Sequence, residues 1–111
     1  MFQNIFKLEA YAYGERNHIL EQCRTILASN DGDLLDFKMF SDMLVNFIIE
    51  IPRKNIFKLI SSFESLNWKT DLKLDESILS NESISLIQGT VSVTFSSGTG
   101  DRKDVIPAVP G

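Results

Sequence analysis

His18 is the only histidine in the chain, and histidine is the side chain whose ordinary pKa lets it exchange a proton near neutral pH. A general base needs a proton donor within hydrogen-bond reach, and no nucleophile stands at a spacing that pairs with His18. One histidine cannot build a metal site alone. His18 therefore reads as a helix-start surface or interface residue. Cys23, the single cysteine, falls on an apolar stripe. A reactive thiol needs a positive, partly exposed setting, so Cys23 reads as a small buried hydrophobe. Asp31, Asp33 and Asp36 suggest calcium at first sight, but an EF-hand loop has its glycine as the sixth residue, and here Gly32 directly follows Asp31. These carboxylates read as turn and strand-edge groups. The expectation is no catalytic residue, no metal and no cofactor.

Binding chemistry is better placed in the stretch Tyr13-Gly14-Glu15-Arg16-Asn17-His18-Ile19-Leu20, where an alternating segment gives way to a helical one. Gly14 can take a positive φ. Unpaired backbone N–H groups at a helix start can receive a carboxylate or phosphate oxygen, and Arg16 can add a charge-assisted contact. Gly14, Glu15, Arg16, Asn17 and His18 are therefore the candidate ligand-binding residues. The plain alternative is a turn glycine, a Glu15 that favours the helix dipole and an Arg16 that faces water.

The elements around this stretch follow from periodicity. Residues 4–13 alternate, with Phe6, Leu8, Ala10 and Ala12 on one face and Lys7, Glu9, Tyr11 and Tyr13 on the other, which predicts a half-buried strand. From 16 to 28 the apolar residues Ile19, Leu20, Cys23, Ile26 and Leu27 form a helical stripe, closed at Ser29–Gly32 with Asn30 or Gly32 in the left-handed cap. Residues 33–51 alternate twice around a weak turn at Ser41-Asp42, predicting an antiparallel hairpin. Pro52 ends it. Ile56, Leu59, Ile60, Phe63 and Leu66 predict a second helix, with Trp68 packed at its base. Residues 69–75 alternate again. Residues 75–83 read as a polar loop, and 84–96 as strand interrupted by a turn or bulge at Gln88-Gly89. The last residues, 97–111, are rich in Gly and Pro and read as a flexible tail.

The order is β-α-β-β-α-β plus one strand or hairpin. It predicts an α+β, ferredoxin-like sandwich over residues 1–96, with an antiparallel sheet and two helices on one face. Right-handed crossovers place the strands in the spatial order fourth, first, third, second. The open sheet face would then join Tyr11, Tyr13, Phe40, Leu44 and Ile48 in one apolar patch. Such patches mark interfaces, and the simplest cover is a second copy.

Bulk properties narrow the partners. A length of 111 residues suits one domain. The net charge of −4 argues against nucleic acid and anionic membranes, both of which attract basic surfaces. The expected RNA-stacking signature is missing as well. No run approaches ~18 uninterrupted apolar residues, and the N-terminal residues lack a signal-peptide pattern. With a lone cysteine, the expectation is a soluble cytoplasmic protein.

The junction at 13–20 resembles the first-strand exit of ACT domains, small regulatory modules that often bind amino acids. Their pattern is a Gly, then Asp-Arg, one residue, a second Gly and two aliphatics. Gly14, Arg16, Ile19 and Leu20 match it; Glu15 replaces the Asp and His18 the second Gly. The resemblance covers about residues 4–75 of the sequence. It implies a non-enzymatic regulatory domain that homodimerises and binds an amino acid or another small polar metabolite near residues 13–20. Two alternatives stand beside it. One is a protein–protein interaction subunit without a small ligand. The other is a small dimeric enzyme such as an oxygenase, with His18 in its cleft.

Overall fold

A computed structural model describes residues 5–41 and 43–96. The described residues are α+β, with a five-stranded mixed sheet and three helices. Strands β1 (Phe6–Tyr13), β2 (Asp33–Ser41), β3 (Leu44–Pro52), β4 (Lys69–Leu74) and β5 (Leu86–Ser96) are joined by helices α1 (Arg16–Ser29), α2 (Ile56–Glu64) and the single-turn α3 (Glu76–Leu79). A 3-10 turn, Arg53–Asn55, leads into α2.

The spatial order is β2-β3-β5-β1-β4. Three pairings are antiparallel, and β1–β5 is parallel. This corrects the expected all-antiparallel sheet and the expected contact between the first and third strands. The added strand lies in the middle of the sheet, where β5 separates β1 from β3. Composition accounts for the placement. Ile87, Val91, Val93 and Phe95 of β5 are all buried, and a strand this apolar on one face belongs under cover. By contrast β4, with Lys69, Asp71 and Lys73 exposed, is suited to an edge.

The buried apolar positions of β1, β3 and β5 fall on one face and form a single core with the helices. From α1 come Ile19, Cys23 and Leu27; from α2 come Ile56, Leu59 and Phe63. Trp68 stacks on Phe63, with ring centroids 5.4 Å apart, as its place after the helix predicts. The opposite, open face carries Lys7, Glu9 and Tyr11 of β1, alternate residues of β3, and Thr90, Ser92 and Thr94 of β5.

Two local expectations are corrected. The left-handed residue after α1 is Asp31, with φ 60°, while Asn30 is the C-cap with φ −111°. Asn30 is instead buried and tied by its side chain, donating Nδ2 to the Ile26 carbonyl at 2.9 Å and to Ser62 Oγ at 3.2 Å. At Gln88-Gly89 the chain neither turns nor bulges, and β5 runs through without a register shift. Gly89 is there because Phe6, its partner across β1–β5, lays its ring over that spot. The expected polar loop at 75–83 holds the short helix α3, capped by Asp75. Arg53 pins this segment, donating Nε to the Ile84 carbonyl at 2.7 Å and Nη1 to the Leu79 carbonyl. The tail expected at 97–111 lies outside the described residues. Among the described residues, no helix is long and apolar enough to cross a membrane.

Candidate functional site

The expected ligand-binding residues lie at the start of α1. Gly14 has φ +136°, a conformation that favours glycine, and a Cβ on it would meet Ile19 at 3.7 Å. Glu15 is the N-cap, and its carboxylate accepts the His18 backbone N–H at 3.0 Å. The helix start thus carries a resident carboxylate from its own chain, and an anionic ligand would have to displace it. Arg16, Asn17 and His18 are exposed on the first turn. His18 also ends a groove between α1 and α2 of about 440 Å³, lined by Thr25, Ser29, Ser62 and Ser65 among others.

The five expected interface residues are divided by β5. Leu44 and Tyr11 both lie opposite Thr94, one on each side of β5. Thr90, Ser92 and Thr94 therefore run as a polar strip between the tyrosines of β1 and the apolar residues Leu44 and Ile48 of β3. Tyr13 is exposed on β1 and Phe40 at a bulge near the end of β2.

A second constellation lies on the open face across β4, β1, β5 and β3. The register sets Lys7 directly opposite Lys73, and Glu9 directly opposite Asp71. On the other side of β1, Lys7 faces Thr90 and Glu9 faces Ser92. The result is a cationic band beside an anionic one, two residues along the strands, or about 7 Å away. Lys7 Nζ lies 3.6 Å from the Glu9 carboxylate, so the bands are bridged along β1. Ser92 Oγ donates to Asn46 Oδ1 at 2.7 Å. A depression of about 520 Å³ opens at the cationic band, with Lys7, Lys73, Asn46, Asp75, Thr90 and Ser92 in its lining. Tyr11 donates its hydroxyl to Glu9 at 3.5 Å. Burial first, then the charges of Glu9 and Asp71, push the Tyr11 phenol above its ordinary value.

Like charges directly opposite in an antiparallel pair are destabilising. Two such pairs stand here in adjacent rows, one cationic and one anionic. Sequence reasoning placed Lys7 and Glu9 on the strand face that carries Tyr11 and Tyr13, and Asp71 and Lys73 on the charged face of the fourth strand, but did not bring them together. Alternation gives the face of a residue, whereas register between β1 and β4 gives its neighbour. Among the described residues, no group of three or more His, Cys, Asp and Glu is placed to hold a metal ion.

The chain is thus a small α+β protein with a covered apolar sheet face and a charged, hydroxyl-lined open one. No protein family, curated protein or solved structure matches it.

Proposed function

We propose that this chain is a non-enzymatic, ACT-like ligand-sensing domain that binds an amino acid or another small dipolar metabolite. The ligand seat in this reading is the open sheet face. The observation that carries it is the pair of like-charged couples, Lys7–Lys73 and Glu9–Asp71, set in adjacent rows, with the two lysines lining a depression of about 520 Å³. A bound zwitterion would relieve both repulsions, giving a gain that neither couple supplies in the free protein. The fold reading is a ferredoxin-like plan with one strand inserted, since removing β5 from the order β2-β3-β5-β1-β4 leaves the expected sequence of neighbours.

The test is a titration of isotope-labelled protein with each of the common amino acids, read by backbone amide NMR shifts. Saturable shifts centred on Lys7, Glu9, Thr90, Ser92 and Lys73, lost in Lys73→Gln and Asp71→Asn, are expected for at least one ligand. The absence of saturable shifts at millimolar concentration removes the reading. Shifts confined to Gly14–His18 move the seat to the helix start.

A second reading, a protein-interaction subunit, is favoured by the exposed apolar side chains Leu34, Leu35, Phe40 and Met43 on the β2–β3 hairpin. Its signature is association with a protein partner that is lost in Phe40→Ser while the amino-acid shifts are unaffected.

A further inference from the structure

A third row of charge borders the lysines of the open face. Asp71, Lys73 and Asp75 alternate in sign along β4 and its exit, because Asp75 keeps an extended backbone, with φ −69° and ψ 120°. The lysine row therefore has carboxylates on both sides, Glu9 and Asp71 on one and Asp75 on the other. Among the described residues no ion pair joins Lys73 to Asp71 or to Asp75. Lys69 continues the alternation past Asp71, opposite Tyr11. It stands outside the depression, whereas Asp75 lines it together with Lys7 and Lys73.

Asp75 is fixed in place by its own cap. Its Oδ1 accepts the Ser77 N–H at 3.0 Å and the Ser77 hydroxyl at 2.9 Å, which leaves Oδ2 as a second acceptor. Asn46 is oriented too. Its Oδ1 accepts from Ser92 Oγ at 2.7 Å, so Nδ2 remains as a donor. Two lysines and one aspartate in the lining suit a single carboxylate better than a dianion. Spacing then sets the length of what fits. Asp71 and Asp75 are four residues apart, about 13 Å along an extended strand, with side chains that stand upright on the sheet. One hydrogen bond at each end leaves roughly 7 Å between the two donors, the span of the six-bond chain that separates the ammonium groups of lysine.

We propose that Asp75 sets the charge of the ligand: its second oxygen receives the terminal ammonium of a diamino monocarboxylic acid of lysine's length, whose carboxylate lies on Lys7 and Lys73 and whose α-ammonium lies on Glu9 and Asp71. The inference rests on the ligand reading above and narrows it from any amino acid to a basic one. Asp75 caps α3, and Thr90 and Ser92 belong to β5, so the seat is built with the elements added to the expected β-α-β-β-α-β plan.

The experiment is a titration of the isotope-labelled full chain at neutral pH and fixed ionic strength, read by backbone amide shifts. The probes are lysine, its neutral counterpart norleucine, glutamate and cadaverine. Lysine is expected to bind roughly threefold to tenfold more tightly than norleucine, the gain from one charge-assisted contact at a surface. In Asp75→Asn the two should bind alike, with the affinity norleucine has for the wild type. Asparagine keeps an oxygen for the Ser77 N–H, so the variant removes the charge and leaves α3 capped. Cadaverine, with both ammonium groups and no carboxylate, should bind more weakly than lysine. Equal binding of lysine and norleucine to the wild type overturns the inference and leaves the ligand reading standing. So does a lysine preference that survives in Asp75→Asn. Cadaverine binding as tightly as lysine also overturns it, since bulk attraction to a chain of net charge −4 would then suffice. Tightest binding of glutamate moves the second contact to Lys69 and overturns it as well. The absence of saturable shifts with every probe removes the ligand reading, and the inference with it.

Discussion

Phe6 and Gly89 face one another across the parallel pair β1–β5, and the Phe6 ring occupies the space of a Gly89 side chain. A Cβ on Gly89 would stand 2.4 Å from a ring carbon, a separation no packed core tolerates. The contact lies at the centre of the sheet, between two strands fully covered on the helix side. Gly89→Ala should therefore lower stability by about 1–3 kcal/mol, the usual cost of overpacking. Phe6→Leu in the same chain should return part of that loss by freeing the space. Thermal denaturation of the two single variants and the double variant checks both statements, and an unchanged melting temperature in Gly89→Ala would contradict the packing described.

Cys23 is completely buried on the core face of α1, and burial pushes its thiol up to about 12. The folded protein should react with a thiol reagent at neutral pH only through unfolding, so the reaction rate should follow denaturant concentration. The pH dependence has a definite sign. In the unfolded chain the thiol ionises near its ordinary value of about 8.5, while in the folded chain it keeps its proton. The unfolded state then binds fewer protons, so Cys23 makes stability fall as pH rises from that value towards about 12. Cys23→Ala should remove this part of the alkaline slope.

Asn55 is buried and donates Nδ2 to the backbone carbonyl of Asn30, itself buried, at 2.9 Å. The bond joins the turn before α2 to the end of α1. Asn55→Ala leaves a buried carbonyl without this donor and should cost about 1–3 kcal/mol. Asn55→Asp should cost more, because it sets a carboxylate against the carbonyl. Urea denaturation should show a lower midpoint with an unchanged slope.

Most of the element order is legible in the sequence, because β1, α1 and α2 each carry an unbroken apolar period. Residues 6, 8, 10 and 12 are buried and 7, 11 and 13 exposed, as alternation alone requires. What alternation cannot supply is the partner of a strand. Ile87 and Val91 state that β5 is apolar on one face, yet they meet Ile51 and Phe47 of β3 rather than the end of the sheet. Gln88-Gly89 looks like a turn because the reason for the glycine, Phe6, lies at the other end of the chain. The candidate site shares this blindness. Lys7 and Lys73 are charges on two separate strands until the register of β1 and β4 sets them opposite one another.

Asp75 caps α3, accepting the Ser77 backbone N–H at 3.0 Å and its hydroxyl at 2.9 Å. These bonds, the backbone one foremost, hold its carboxyl below the usual range. The cap is thus fully present above the ordinary Asp value and is lost as pH falls through the lowered one. The Ser77 amide resonance should follow that titration, with a midpoint below that of an unperturbed aspartate, and Asp75→Asn should flatten the curve.

The position of β5 bears on how the protein is made. β1 and β3 flank it on either side, so the two early strands have no strand between them until every other described element has left the ribosome. Chains generally fold from the N-terminal side as they are synthesised, but here the first half can offer only a hairpin, a helix and an orphan strand. The long sequence separation between β1 and β5 also makes closure slow. A nascent chain stopped before β5 would expose both the flanks of that gap and its apolar floor, a state that chaperones recognise. The domain should therefore acquire its structure late and at once rather than piece by piece.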